Sequence, residues 1–551
     1  MTAPTFFSRF NLYQWLAAIV SGLLLALSFP KFNWDFLAWI ALAPLLLVLT
    51  QHGQTLRRAF GLGWLTGWVF FFFSCNWITH SMIRYGGMNV VLAYLVAALF
   101  TALTALFPGL FALATTRLIQ VFGLWALGLA PIIWAATEWL RGITTGVTWN
   151  ALGVSQVNHF ELAGLAAWGG VQLVGLPLLA ASVALVLLPR LKQIPIRRVL
   201  GLYLLLAAVF TTSYALQGPS IFTLTQITLP PTQVRVAGVQ PNLSVDILTH
   251  PDALTERNTS GLETNLKLTH DAINQTVNKK ADLIIWAESP LVLNYEQDDI
   301  AKTKLNEVAK EQQAYLIFSA LGRDGENVYN SVQTITPEGR ALQRYDKIHL
   351  LPFGEYVPFR AVLGYFVPAM VGDFTPGTKA IVNSLKLNPQ VAIVQNEQET
   401  QGEVALERTT SFVKTGTFIC YEAAYPNLVR QFVDNGAALL INISDDAWFG
   451  NSAGAEQHLN HARMRAIENS RDIVRVTNSG ISALVTAQGQ VVDPLPSFAP
   501  ASHVWTAETS RAATLYTKYG DWFAISCAII SALAIIASFL YHSRAPEKSQ
   551  I

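Results

Sequence analysis

Three residues of this 551-residue chain, Cys420, Glu288 and Lys347, could together perform acyl chemistry. Cys420 stands where an apolar strand, TGTFIC, runs into YEAAYP, and it is the only cysteine between residues 217 and 520. A thiolate is a strong nucleophile, and a lone thiol in an oxidising compartment has no disulfide partner within its domain. Taken alone, the position fits an inert buried cysteine better. Glu288 ends the run LIIWAES, so a strand delivers a carboxylate to its C-terminal edge, where open α/β folds hold ligands. There it could take a proton from a thiol; an exposed strand-end Glu is the plain alternative. Lys347 lies in RYDKIHLLPFGEYVP, whose Pro and Gly argue for an ordered loop. A cation there could stabilise a thiolate or an oxyanion, or be an ordinary surface charge. Cys75 and Cys527 fall inside apolar runs and read as packing residues, and three cysteines make no disulfide framework.

The elements that must position these residues lie between about Gln217 and Gly520, where short β-rich runs alternate with amphipathic helices. This is the pattern of an α/β domain. Strands are expected at Val234 to Val239, Leu283 to Trp286, Tyr315 to Ala320, Asn327 to Ile335, Gly416 to Ile419, Ala438 to Ile443 and Ile473 to Thr477. Helices are expected at Pro251 to Asn278, Asp298 to Gln312, Pro426 to Asn435 and Ala455 to Ser470. The polar stretch Asn383 to Thr410 reads as an exposed insertion without chemistry.

Outside that region the chain is a membrane sequence. It is 52% hydrophobic and 13% charged, and its net charge of +1 gives no global bias toward nucleic acid. A crossing needs about 20 apolar residues. Candidates are Leu12 to Phe29, Phe36 to Thr50, Phe60 to Thr79, Val90 to Leu118, Val121 to Leu140, Leu162 to Leu188, Val199 to Leu216 and, isolated near the end, Trp522 to Tyr541. The first run lacks a small-residue cleavage site, so it is expected to stay. One set of loops, with both termini, carries Arg9, Arg57, Arg58, Arg117, Arg190, Lys192, Arg197, Arg198, Arg544 and Lys548, while the opposite short loops carry only Lys31, Arg84 and Arg141. Cytoplasmic loops hold the excess of Lys and Arg, so both termini are expected in the cytoplasm and the α/β domain outside it.

Other polar positions remain open between two readings. Glu138 and Arg141 in TEWLRG could pair structurally or meet lipid headgroups. Trp448 and Phe449 in DDAWFG could dip into the lipid interface or pack in a core, and Gly61, Gly63 and Gly67 suit close helix packing. His458 and His461 share a helical face without a third ligand, and Asp445 with Asp446 fits a strand-end turn better than a cation site. No metal and no cofactor is expected.

In order and spacing, WAES, YDKIHLLPFGEYVP and FICYE resemble the Glu, Lys and Cys triad of the nitrilase superfamily. Seven expected membrane helices before this domain and one after narrow the resemblance to the apolipoprotein N-acyltransferase family. SFPKFNWDFLAWIALAPLL, EWLRG, VQPN, YNS, NISDDAWFG, QHLNHARMRAIENSRDIVRVTNSGISA and TLYTKYGDW carry it over nearly the whole chain. Ala287 replaces the proline usual in the WPE motif, Thr249 lies near the place of a tryptophan often found after VQPN, and GVTWN differs from the usual GFPW.

The resemblance implies a polytopic α-helical membrane domain of eight helices joined to a nitrilase-like αββα sandwich. The implied layout is seven transmembrane helices in 1–216, a periplasmic catalytic domain in 217–520, and a last helix with a cytoplasmic tail in 521–551. It further implies Glu288 as general base, Lys347 as the cation for the tetrahedral species, and Cys420 as the acylated nucleophile. The Tyr421 backbone N–H would complete the oxyanion site, with Glu355, Tyr421 and Glu422 in supporting places. The implied reaction carries an acyl chain from a phospholipid to the N-terminal amine of a diacylglyceryl-modified lipoprotein in the bacterial inner membrane. A membrane-tethered amidase is the alternative, and no nucleic-acid partner is implied.

Overall fold

The computed structural model describes residues 12–193, 232–244, 254–276, 280–288, 295–352, 354–356, 373–387, 390–394, 405–409 and 411–544, with isolated helical positions at 204 and 208. The expected crossing Val199 to Leu216 lies, but for those two positions, outside the described residues, as does Thr249. The chain divides into two units: one of 1–222, 449–460 and 519–551, the other of 223–448 and 461–518.

In the helical unit, the segments Val90–Phe122, Val171–Arg190 and Trp522–Tyr541 are each long and apolar enough to cross a membrane. Leu56–Ser74 and Ile78–Arg84 would form a fourth, bent by 54°. The expected Phe36 to Thr50 is a 3-10 turn, Asp35–Trp39, followed by the helix Ala43–Leu49, with Pro44 in its first turn. Val121 to Leu140 is likewise broken, because Gly123 takes φ 85° and a 3-10 turn, Leu124–Leu129, precedes the helix Ala130–Thr145. Leu162 to Leu188 becomes two short helical turns and the helix Val171–Leu187, divided at Gly170 with φ 75°. Apolar content alone reads through such glycines. Gly63 shows the expected close packing: a Cβ there would lie 2.4 Å from the Pro108 carbonyl oxygen.

The second unit is built on strands β1 (Gln233–Gln240), β2 (Leu283–Trp286), β3 (Tyr315–Asp324), β4 (Asn327–Ile335), β5 (Tyr345–Asp346), β6 (Val382–Lys386), β7 (Gln390–Val394), β8 (Ala405–Thr409), β9 (Phe412–Ile419), β10 (Leu439–Ser444), β11 (Ile473–Thr477), β12 (Ala483–Val485), β13 (Val491–Val492) and β14 (Ala501–Glu508). Among the described residues they form two six-stranded sheets, ordered β14-β1-β2-β3-β4-β5 and β13-β12-β11-β10-β9-β6, and the separate hairpin β7-β8. In each sheet three neighbouring strands are parallel, β1-β2-β3 and β9-β10-β11, flanked by antiparallel ones. Buried parallel strands read as continuous apolar runs, and β2, LIIW, and β10, LLINIS, are buried at every residue.

Helices Leu254–Asn274 and Asp299–Gln312 close the outer face of the first sheet, burying Leu262, Ile273, Leu305 and Val308 against Ile284, Trp286 and Phe318. On the second sheet, Phe432 of helix Pro426–Asp434 packs so closely that a Cβ on Gly416 would lie 2.7 Å from its Cβ. The inner faces meet where Gly238 of β1 faces Val476 of β11. These layers make the αββα sandwich. The stretch Asn383 to Thr410 departs from the insertion reading: Asn383 to Lys386 belong to the edge strand β6, paired with β9, and β7 pairs with β8.

Candidate active site

Glu288, Lys347 and Cys420 all stand just beyond strand ends. Glu288 follows β2 by two residues, Lys347 follows β5 directly, and Cys420 follows β9 directly. Cys420 is buried and opens a 3-10 turn, Cys420–Ala424, with φ at 50°. A left-handed backbone at a non-glycine residue costs energy and persists only where the surroundings impose it.

The Lys347 ammonium lies 2.9 Å from Glu355 Oε1 and 3.6 Å from Glu288 Oε1, with only 2% of its side chain exposed. Asn330 ties the two acids together, its amide donating to Glu288 Oε1 at 2.9 Å and to Glu355 Oε1 at 2.6 Å. The outer oxygens are fixed by backbone: Asp445 N–H donates to Glu288 Oε2 at 3.0 Å and Leu351 N–H to Glu355 Oε2 at 2.7 Å. Burial alone would lower the Lys347 pKa, but Glu355 and Glu288 hold it above the ordinary lysine value. Burial and the Glu288 carboxylate push the Cys420 thiol well up, while Lys347 pulls it down. At rest the site is a protonated thiol beside a lysine-bound carboxylate, the starting state for general-base transfer from sulfur to Glu288.

Glu422 is fully buried and ties the Cys420 turn to the Lys347 loop. Its carboxylate accepts hydrogen bonds from Tyr345 OH at 2.8 Å, Ile348 N at 2.7 Å, His349 N at 3.1 Å and Ile419 N at 2.7 Å. Burial raises it to about 7, against the pull of these backbone donors and Lys347. Tyr421 is half-buried, its ring edge-on to Tyr425 at 5.4 Å, and His349 stacks on the other ring partner, Tyr425, at 3.9 Å.

Sequence reasoning gave no role to Asn330, although YNS was among the segments that carried the resemblance. Nor did it single out the buried Arg475, whose guanidinium reaches Asp446 Oδ2 at 2.7 Å. Asp446 is thus an ion-pair partner, and Asp445 accepts from Ala447 N at 3.0 Å in a turn. Among the described residues no three His, Cys, Asp or Glu side chains gather as a metal site.

Of the other open positions, Glu138, Arg141, Phe449 and His458 lie within the helical unit. Glu138 Oε1 accepts from Leu152 N at 2.8 Å and Arg141 donates to the Trp149 carbonyl at 2.9 Å, which favours the structural reading of both. Phe449 is buried edge-on to Trp77 at 4.8 Å, and His458 packs against Phe449 and Trp149. Core packing is therefore the outcome for Phe449.

A two-sheet sandwich with Glu, Lys and Cys at its strand ends defines the carbon–nitrogen hydrolase class, and the family described as carbon-nitrogen hydrolase matches residues 235–535. The apolipoprotein N-acyltransferase N-terminal domain matches residues 21–185. The chain belongs to the apolipoprotein N-acyltransferase family. It is 30% identical over 558 residues to the apolipoprotein N-acyltransferase of Geobacter metallireducens, covering 96% of each chain. With that of Vibrio cholerae it shares 32% identity over 526 residues, 92% of this chain and 93% of the other. Among solved structures, Saccharomyces cerevisiae Nit3, a nitrilase superfamily member, overlays with a TM-score of 0.35 at 16% identity, covering 59% of this chain and 99% of that one.

Proposed function

We propose that the chain transfers an acyl group from a membrane phospholipid to the N-terminal amine of a diacylglyceryl-modified lipoprotein, through a thioester on Cys420. The observation that carries this reading is the buried Lys347 ammonium held between Glu288 and Glu355, two acids bridged by Asn330. Glu288 takes the thiol proton, and the Cys420 thiolate attacks the ester carbonyl of the phospholipid. Lys347 and the Tyr421 N–H hold the oxyanion. Collapse breaks the ester C–O bond, and Glu288 returns its proton to the departing lysophospholipid alkoxide. The acceptor amine then attacks the thioester, Glu288 takes the amine proton, and collapse breaks the C–S bond to give an amide as Glu288 passes that proton to the Cys420 sulfur. Glu355 and Asn330 orient the Lys347–Glu288 pair, and Glu422 holds the Cys420 turn on the Lys347 loop.

Both substrates are membrane-anchored, which gives the apolar helices a purpose that a soluble amidase would lack. In this reading 1–216 carries seven crossings, 217–520 is a periplasmic catalytic domain, and 521–551 returns the chain to the cytoplasm of a bacterial inner-membrane protein. The test is intact-mass analysis of the purified enzyme mixed with phospholipid alone. An added acyl mass on Cys420 and released lysophospholipid are expected from wild type, neither from Cys420→Ala, and ping-pong kinetics once acceptor is present. A Cys420→Ala enzyme that still acylates a diacylated lipoprotein would overturn the mechanism. An acceptor that gains no mass while free fatty acid accumulates would point to hydrolysis instead.

A further inference from the structure

We propose that Ser444 is a positioning residue for Cys420, a hydroxyl that accepts from the thiol at rest and turns to donate to the thiolate when it forms. The inference rests on the reading of Cys420 as nucleophile and goes beyond the Glu, Lys and Cys set.

The geometry comes from strand register. β9 and β10 are parallel with Ile419 opposite Ile443, so the next residues, Cys420 and Ser444, leave the two strand ends side by side. The Ser444 hydroxyl is fully buried at that strand end, beside Cys420, where it pulls the thiol pKa down against burial. It also donates to Asp446 Oδ1 at 2.8 Å. A hydroxyl has one proton and two lone pairs. While that proton points at Asp446, the oxygen can only accept from the S–H. Once Glu288 has taken the thiol proton, rotation about the Ser444 C–O bond brings the hydroxyl proton to the sulfur anion. No bond to hydrogen breaks in this rotation.

Asp446 tolerates the loss because its other oxygen is held by Arg475 at 2.7 Å, both side chains being fully buried. Arg475 is fixed in turn by Asn442 Oδ1, and the Asn442 amide donates to the Phe418 carbonyl at 3.2 Å. The support therefore runs from β11 through β10 to the strand that carries Cys420. Without Arg475 the bare Asp446 carboxylate would both hold the Ser444 proton and repel the thiolate. The charged groups bearing on the sulfur are Glu288 after β2, Lys347 after β5, and Asp446 after β10. Asp446 holds the same Ser444 hydroxyl that stands beside the thiol.

The experiment measures the rate of Cys420 alkylation by iodoacetamide against pH, read at that residue by peptide mass analysis, in wild type, Ser444→Ala and Ser444→Thr. Thermal unfolding of each variant checks the fold. A charge-stabilising donor lost from a buried thiolate is expected to slow alkylation at pH 7 about tenfold and move its midpoint up by about one pH unit. Thr, which keeps the hydroxyl, is expected to restore both. A Ser444→Ala profile that overlays wild type would overturn the inference, as would a Thr variant as impaired as Ala. Wild-type thioester formation is measured alongside. If wild type forms no thioester, the reading of Cys420 as nucleophile fails; if it does and alkylation ignores Ser444, this inference fails alone.

Discussion

An ammonium withdrawn from water, as that of Lys347 is, would ordinarily shed its proton, and the two facing carboxylates reverse that tendency. Its folded pKa is raised, so the stabilisation from these pairs is fully present below the ordinary lysine value and fades only as pH rises through the higher folded one. The cation is therefore constant over the whole neutral range. Lys347→Met would keep the length of the side chain and remove the charge. It would leave Glu288 and Glu355 facing each other across Asn330, and breaking a buried pair costs about 3–5 kcal/mol. The variant should unfold at a lower temperature than wild type and form the Cys420 thioester about a hundredfold to a thousandfold more slowly from pH 6 to 9. Near-normal thioester formation, measured by mass in the folded variant, would make Lys347 a structural charge only.

The strands deliver these residues, and the sandwich holds only if its two sheets approach closely. Gly238 lies at a close approach: a Cβ there would lie 2.3 Å from the Trp505 ring of the neighbouring strand β14 and 3.0 Å from Val476 Cγ2 of the opposite sheet. Gly238→Ala should therefore force the layers apart at a cost of about 1–3 kcal/mol, read as a drop of several degrees in thermal unfolding. An unchanged unfolding temperature would mean that the layers shift freely. Strands of this kind were legible in the sequence. β2, β4 and β11 fall on the expected residues because apolar runs bounded by turn residues admit few other readings. β5, β12 and β13 span two or three residues, too few for any period to show, and β6 is a polar edge strand that reads as loop. At the site, sequence singled out each of Glu288, Lys347 and Cys420. It could not show that Asn330 joins Glu288 to Glu355 or that Glu422 reaches Tyr345, because partners 42 and 77 residues apart leave no local pattern.

At the scale of the whole chain, the charge bias and the helical unit's own contacts agree on which helix ends lie together. Arg117, near the end of helix Leu106–Phe122, donates to the Ser538 carbonyl at 3.1 Å, and its guanidinium stands 4.7 Å from the Phe539 ring. The ends of these two helices thus share one level, and the charge reading puts both Arg117 and Arg544 in the cytoplasm. At the other end of the last helix, Trp139 donates to Asp521 at 3.0 Å and Trp522 to the Trp168 carbonyl at 2.7 Å. Tryptophans of this kind mark a membrane–water interface. The chain enters its last helix from that tryptophan-lined end, opposite the arginines. The bias is large: an alternative topology would place Arg57, Arg58, Arg190, Lys192, Arg197 and Arg198 outside and only Lys31, Arg84 and Arg141 within. A reporter enzyme active only outside the cytoplasm, fused after Gly218, should be active in intact cells, and the same reporter fused after Arg198 should be silent. Activity after Arg198 with silence after Gly218 would invert the orientation and place the Cys420 site on the side away from the outer leaflet.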